Sequence, residues 1–171
     1  MRFVWVLALG LLAAACGSTD DMAGGASAAA TAGTGAGAAT GDGVTAPPGT
    51  QEHLEQVTST DRVFFEFDKH SLTPEARAQV EDWAGWLLAN RNVRILIEGH
   101  ADERGTTEYN FALGARRSHA VKSALESLGI SGDRIETTTF GELRPAVDAS
   151  NEAAWAQNRR AVVVVQAGAV S

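Results

Sequence analysis

The pattern of apolar and polar positions divides the chain into an apolar start, a long segment of small residues and a patterned region from residue 51 onward. Four short runs rich in β-branched and aromatic residues predict strands at 63–67, 93–98, 134–140 and 161–165. Between them, apolar residues recur at helical spacing up to Leu88 in one segment and over 109–128 in another. The order predicts an α+β fold of βαβαββ type, in which helices pack on one mixed four-stranded sheet.

The ends of the elements carry their own signals. Thr73 and Pro74 are typical of a helix start, with a capping hydroxyl before a proline at the first helical position. Gly129 follows the second long helix, where a glycine C-cap is expected. Shorter helices are predicted at 51–57 and 152–157. The last strand, 161–165, is apolar at five consecutive positions, which predicts burial on both faces and a place inside the sheet.

The first sixteen residues resemble a bacterial lipoprotein signal. Arg2 precedes an apolar run of ten residues, which is too short for a permanent transmembrane helix. Ala13–Ala15 supply small residues for a signal peptidase, and Cys16 follows directly as the predicted lipidation site. The alternative is an ordinary secretory signal with an incidental cysteine. By analogy with bacterial lipoprotein sorting, Gly17 favours the outer membrane, with the folded domain facing the periplasm.

The lipidated cysteine and a flexible tether are predicted over 16–50, after a signal peptide at 1–15 and before a folded domain at 51–171. Of the 34 residues from 17 to 50, 27 are Gly, Ala, Ser or Thr. Such a segment buries too little apolar surface to offset the entropy cost of ordering it.

Charge and cysteine content disfavour duplex nucleic-acid binding and exclude an intramolecular disulfide. The 14 basic and 21 acidic residues give a formal net charge of −7, whereas a duplex nucleic-acid binder normally carries a basic surface. The single cysteine excludes an intramolecular disulfide.

Residues 98–118, EGHADERGTTEYNFALGARRS, hold the candidate site. The segment leaves a strand, passes a polar loop and enters a helix, with Asp102 and Arg117 on either side of the turn. Asn110, Leu113 and Arg117 are spaced so that they share one helix face. An acid and a base on a rigid frame suit a small zwitterion such as an amino acid.

The motif GHADERGT-EYN-ALG-RR at this segment resembles the peptidoglycan-binding core of the OmpA C-terminal domain family, and more specifically the peptidoglycan-associated lipoproteins (Pal). A second similarity to these lipoproteins lies at 152–161, in the segment EAAWAQNRRA. The resemblance extends over 63–165. It implies a sheet in the order 1-4-2-3 with the last strand antiparallel to its neighbours. The serine usual in the family is replaced by Gly114 here.

The resemblance also implies roles for individual residues. Arg117 would pair with the carboxylate of meso-diaminopimelate in the peptidoglycan stem peptide, and Asp102 would take its ammonium. Asp68 would be a second acid that lines the pocket, and Arg159 would close the site. Thr106 and the loop amides would add contacts to an anion. Asn110 and Leu113 would contact the ligand from the helix face. Both Asp102 and Arg117 are expected at the polar rim, outside the apolar core.

Each residue has a simpler interpretation. Asp102 and Arg117 could form a structural ion pair, Asp68 could only cap a turn, and Arg159 and Arg160 could be solvated. The three tryptophans of the folded region are expected to be packing residues.

The resemblance implies peptidoglycan and TolB, with the other Tol–Pal components, as partners, together with the outer membrane through the lipid. The alternative is an OmpA-like wall anchor without Tol partners.

A competing enzyme hypothesis places a metal on Glu98, His100 and Asp102. Glycine between these residues and the lack of a nucleophile paired with a base argue against it, and His100 is expected to bond to the loop. No cofactor is expected.

Overall fold

A computed structural model describes residues 45–166 of the chain. The predicted signal peptide, Cys16 and most of the predicted tether lie outside the described residues.

The strands form one mixed sheet in the order β1-β4-β2-β3. The central strand β4 (Arg160–Gln166) runs antiparallel to β1 (Arg62–Phe64) and to β2 (Arg94–His100), and β2 runs parallel to β3 (Ile135–Gly141). The predicted strand order and the antiparallel last strand are therefore confirmed.

Four α-helices accompany the sheet in the described part of the chain. They are α1 (Gln51–Thr58), α2 (Pro74–Ala89), α3 (Thr107–Ser127) and α4 (Glu152–Asn158). A short 3₁₀ turn, Gly132–Arg134, leads into β3. The Thr73 hydroxyl accepts from the amide of Ala76, which confirms the predicted start of α2. Gly129 has a φ of 91° after α3, a left-handed conformation that glycine adopts without a Cβ penalty.

The core lies between the helices and one face of the sheet. Its members are apolar residues of α1, α2, α3 and the strands, with these among the most deeply buried: Leu54, Val80, Trp83, Leu87, Ile95, Ile97, Val121, Leu125 and Val163. The indole nitrogens of two core tryptophans are also satisfied, because Trp83 donates to the carbonyl of Thr60 and Trp86 donates to His53.

Some details differ from the sequence prediction. The first strand ends at Phe64 rather than at residue 67, and Phe67 is 56% exposed. Leu88 and Leu128 flank the buried stripes of their helices and are exposed. Strand β4 lies inside the sheet and buries Ala161 and Val163 on one face, but Val162 and Val164 on the other face are only half-buried, so the predicted burial of the apolar run on both faces is wrong.

The folded region begins before residue 51. The amides of Thr45 and Ala46 donate to the side-chain carbonyl of Gln56 on α1, and Ala46 is buried. Thr50 caps α1 by accepting from the amide of His53. The last six residues of the predicted tether therefore pack against the domain.

The site depends on a close approach of α3 to β2. A Cβ added at Gly99 would lie 1.9 Å from the carbonyl oxygen of Gly114, and one added at Gly114 would lie 2.3 Å from the Thr139 hydroxyl. Glycine at both positions therefore lets the helix backbone rest on the strand.

None of the helices within residues 45–166 has the length and apolar character needed to cross a membrane.

Candidate ligand-binding site

A cavity of about 240 Å³ opens where the turn after β1, the loop after β2 and the first half of α3 meet. Five of the seven predicted contact residues line it, joined by four others; the full lining is Phe67, Asp68, Asp102, Arg104, Gly105, Tyr109, Asn110, Leu113 and Arg117. The fold therefore brings the predicted acids and the predicted base to one cavity.

The turn after β1 contributes one wall. Asp68 has a φ of 57°, a left-handed conformation that aspartate tolerates better than most residues. Its side chain is exposed and accepts a hydrogen bond from the Tyr109 hydroxyl. Asp68 therefore offers a second carboxylate to a ligand in the cavity, held in place from α3.

The loop after β2 turns sharply into α3. Gly105 has a φ of 115°, which a residue with a Cβ would adopt only with strain. The Thr106 hydroxyl then accepts from the amide of Tyr109 and caps the helix. Thr106 does not line the cavity, so its position is that of a helix cap beside the site.

The predicted helix face points into the site. Asn110 and Leu113 are both buried and line the cavity. The Asn110 amide donates to Glu142, which follows β3, and the Thr107 hydroxyl donates to the other oxygen of the same carboxylate at 2.7 Å. Glu142 thus fixes the start of α3 against the end of β3.

Arg117 lies at the base of the cavity, and its side chain is fully buried. Nε donates to the carbonyl of Lys69 at 2.9 Å, Nη1 to that of His100 at 2.8 Å and Nη2 to that of Glu66 at 3.3 Å. A guanidinium carries five N–H groups, so these three bonds leave one N–H free on each terminal nitrogen. The expectation of a rim position for Arg117 is wrong, because its side chain joins the turn after β1 to the end of β2.

Burial lowers the pKa of Arg117 to about 10, against the opposing effect of the nearby Asp102 carboxylate. The group is still charged at neutral pH. Its hydrogen bonds in the described part of the chain all go to backbone carbonyls, so its charge has no directly bonded carboxylate there. A buried charge normally has a partner of opposite sign, and an anionic ligand would supply it.

Asp102 is also buried, at 4% exposure, and it too lies off the rim. Its carboxylate accepts from Arg104 and from Arg159. Burial raises the pKa of Asp102, but hydrogen bonds from the side chain and backbone of Arg104 and from Arg159 outweigh it and hold the pKa below its ordinary value. Asp102 and Arg117 therefore do not form a simple ion pair with each other.

Arg159 lies behind Asp102 and does not line the cavity. It donates to the carbonyl of Phe65 at 3.0 Å and pairs with Glu152 at 3.0 Å. Arg160 is buried as well and donates to the carbonyl of Arg144. Neither arginine is solvated, and the structure places Arg159 as a support for Asp102.

Sequence reasoning missed part of the lining, chiefly Arg104, Phe67 and Tyr109. The Arg104 guanidinium lies 4.1 Å from the ring centre of Phe67 and 4.2 Å from that of Trp155. A signal was available, because Arg104 belongs to the same DERGT motif as Asp102. The two rings could not be connected to it, because they lie in distant segments of the chain.

Glu98, His100 and Asp102 do not converge on a metal. His100 Nε2 lies 3.6 Å from Glu98, whereas the Asp102 carboxylate faces the two arginines. Within residues 45–166, no group of three His, Cys, Asp or Glu side chains is arranged to hold a metal ion. The expected bond from His100 to the loop is also wrong, since its ring is buried against Phe140 and neither ring nitrogen forms a regular hydrogen bond there.

The sequence and the fold are similar to those of known proteins. The OmpA family model matches residues 64–159. The peptidoglycan-associated lipoprotein of Rhizobium meliloti is 42% identical over 159 residues, which cover 93% of this chain and 84% of that protein. The peptidoglycan-associated lipoprotein of Haemophilus influenzae is 45% identical over 101 residues, 59% of this chain and 66% of that protein.

A solved structure shows the same fold. The crystal structure of the peptidoglycan-associated lipoprotein from Burkholderia pseudomallei superposes with a TM-score of 0.62 at 41% identity, covering 63% of this chain and 92% of that one. The region that the family model matches, 64–159, contains β2, β3, α2 to α4 and every residue that lines the cavity. The chain therefore belongs to the OmpA family, among the members called peptidoglycan-associated lipoproteins.

Proposed function

We propose that this chain binds peptidoglycan noncovalently, by holding the free end of diaminopimelate in the cavity at the start of α3. The observation that carries the proposal is the buried Arg117, whose charge has only backbone carbonyls as hydrogen-bond partners in the described residues. Its two remaining N–H groups suit the two oxygens of one carboxylate.

The rest of the cavity suits the remainder of that ligand. Asp68 and Asp102 supply the negative charge that an ammonium needs, with Arg159 supporting Asp102 and Thr106 shaping the helix start. Leu113 and the rings of Phe67 and Tyr109 can contact the methylene chain. A volume of about 240 Å³ is below the usual range for drug-sized ligands and suits one end of an amino acid.

The role is that of a binding protein rather than an enzyme. Hydrogen bonds from Arg104 and Arg159 hold the pKa of Asp102 below its ordinary value, so its carboxylate stays ionised, and His100 does not line the cavity. Neither is therefore placed to exchange a proton with a bound ligand.

The proposal includes an anchor and partners. A lipid on Cys16 would hold the chain in the outer membrane, with the folded domain in the periplasm, so that wall binding ties the two layers together. The many relatives named peptidoglycan-associated lipoprotein support a place in the Tol–Pal system, with TolB as a partner and a role in envelope integrity and in outer-membrane constriction at cell division. An affinity pull-down from periplasmic extract that recovers no Tol component would favour wall anchoring alone.

The test of wall binding is sedimentation of the full-length protein with purified peptidoglycan. We expect the protein to pellet with the wall and to be released by a soluble muropeptide that carries diaminopimelate. The same muropeptide with lysine in place of diaminopimelate lacks the second carboxylate and should release much less. A protein that stays in solution with the wall would contradict the proposal.

A further inference from the structure

The Arg104 side chain donates hydrogen bonds to the Asp102 carboxylate, the group proposed to bind the ligand ammonium. Nη2 donates to Asp102 Oδ2 at 2.7 Å, and Nε donates to Oδ1 at 3.3 Å. The third nitrogen of the guanidinium, Nη1, reaches Glu152 at 3.2 Å. The guanidinium is stacked between the rings of Phe67 and Trp155.

Asp102 has no acceptor position left for another cation. Oδ1 accepts from the Arg104 amide at 3.1 Å and from Arg104 Nε, while Oδ2 accepts from Arg104 Nη2 and from Arg159 Nη1 at 3.3 Å. A carboxylate has about four lone-pair sites, and all four are used. A ligand ammonium can therefore reach Asp102 only if one of the arginines leaves.

Of the two arginines, Arg104 is the one able to leave. Its side chain is 30% exposed and lines the cavity, whereas that of Arg159 is 8% exposed and lies outside the lining. Arg159 is also tied to the backbone at Phe65. Moving Arg104 would uncover Asp102 from the cavity side, while Arg159 remains behind it.

We infer that Arg104 is a built-in competitor for the ligand cation, so that an ammonium binds Asp102 only when the Arg104 side chain releases it. This inference rests on the proposed function, since it concerns the same ligand at the same site. On release, the exposed carboxylate of Glu152 can still hold the guanidinium at the cavity mouth, outside the stack between the two rings. Arg104 thereby lowers the affinity of the site for any ligand that binds through an ammonium.

The competition has a quantitative consequence. The apparent affinity for an ammonium ligand is reduced by the fraction of molecules in which Asp102 is free of Arg104. A ligand that brings only an ammonium must displace Arg104 without further gain. A ligand that also brings a carboxylate for Arg117 gains a second interaction, so the site favours a zwitterion over a simple amine.

The experiment compares two muropeptides, one with the free amine of its diaminopimelate and one with that amine acetylated. Each is titrated by calorimetry into the full-length wild-type protein, into Arg104→Gln and into a control, Arg94→Gln, at the opposite end of β2. We expect Arg104→Gln to bind the free-amine muropeptide about five- to tenfold more tightly, and the acetylated one within about twofold of wild type. Arg94→Gln should match wild type with both.

A second variant keeps the test informative if Arg104→Gln is unstable, which thermal unfolding would reveal. Trp155→Leu removes one ring of the stack but keeps Arg104 and Asp102, so it should give a smaller gain, about two- to threefold, again confined to the free-amine ligand. Weaker binding of both muropeptides by these variants, or an unchanged ratio between them, would overturn the inference. Wild-type protein that binds neither muropeptide would overturn the proposed function itself.

Discussion

The backbone carbonyl of His100 accepts a hydrogen bond from Arg117 Nη1 at 2.8 Å, which joins the last residue of β2 to the middle of α3. The same guanidinium also bonds to the carbonyls of Glu66 and Lys69, at the two ends of the turn after β1. Arg117 is therefore both a support of the cavity and its candidate carboxylate contact. Its replacement should affect stability as well as binding.

Arg117→Lys should lower the free energy of unfolding by about 2–4 kcal/mol, because a single ammonium cannot replace the three backbone hydrogen bonds of a buried guanidinium. Urea unfolding followed by circular dichroism measures the change. The adjacent Arg116 is exposed, so Arg116→Lys is the matched control and should unfold at the wild-type midpoint. Equal midpoints for the two variants would show that the carbonyl contacts of Arg117 contribute little.

The packing of α3 on β2 makes a second prediction. Gly99→Ala should destabilise the protein by about 3 kcal/mol or more, because the new methyl group would meet the carbonyl of Gly114 and force the helix away from the strand. Gly85→Ala is the control on α2, since a Cβ there meets nothing within 4 Å. It should stabilise the protein by about 0.5–1 kcal/mol through helix propensity. Two variants of equal stability would contradict the close approach.

The buried imidazole of His100 predicts a loss of stability in mild acid. Burial lowers the pKa of His100 to about 4, and the charges of Arg160, Arg144 and Arg62 add to the effect. Between an ordinary pKa of 6.5 and that value, the unfolded chain binds a proton that the folded chain does not. Stability should therefore fall by about 2–3 kcal/mol as the pH drops from 7 to 4.5.

Unfolding in urea across this pH range tests the assignment. His100→Phe keeps a ring beside Phe140 and removes the titration, so its stability should fall less between pH 7 and 4.5. The exposed His119 gives the control variant His119→Gln, which should retain the wild-type slope. A slope in His100→Phe as steep as in wild type would assign the acid sensitivity to other groups.

The segment before α1 gives a fourth prediction. Deleting ten residues between 25 and 40 should leave the melting temperature unchanged, since the composition there offers little apolar surface to bury. Deleting 45–50 should lower it by about 5 °C or more, because it removes the buried Ala46, the bonds to Gln56 and the Thr50 cap of α1. A large shift from the first deletion would show that the segment 25–40 also packs on the domain.

The anchor gives the fifth prediction. Cys16→Ser should abolish lipidation, so the protein should lose the mass of its acyl chains and leave the outer-membrane fraction. Mass spectrometry and membrane fractionation measure the two effects. An unchanged mass together with unchanged fractionation would contradict a lipid anchor on Cys16.

The fold was predictable because its local signals are strong. The Thr73-Pro74 start of α2, the glycine after α3 and the apolar run of β4 each determine structure over a few neighbouring residues. The end of β1 was not predictable in the same way. Phe67 continues the β-rich run in sequence, but the chain turns after Phe65 and the ring becomes a wall of the cavity.

The sequence predicts most of the residues that line the candidate site, but not how those residues contact one another. The helical spacing of Asn110, Leu113 and Arg117 places them on one face, and the structure finds all three at the cavity. The contact of Arg104 with Phe67 and Trp155, and the bonds of Arg117 to three carbonyls, depend on how distant segments meet. No local pattern in the sequence encodes those contacts.

The most direct test of the central claim is a titration that isolates the carboxylate contact of Arg117. The full-length protein is titrated by calorimetry with a muropeptide that carries diaminopimelate, and with the same muropeptide whose diaminopimelate side-chain carboxylate is amidated. A charge-assisted fork lost from a buried site should weaken binding by about tenfold or more, so we predict clearly tighter binding of the free carboxylate. Equal affinities for the two muropeptides would contradict the account.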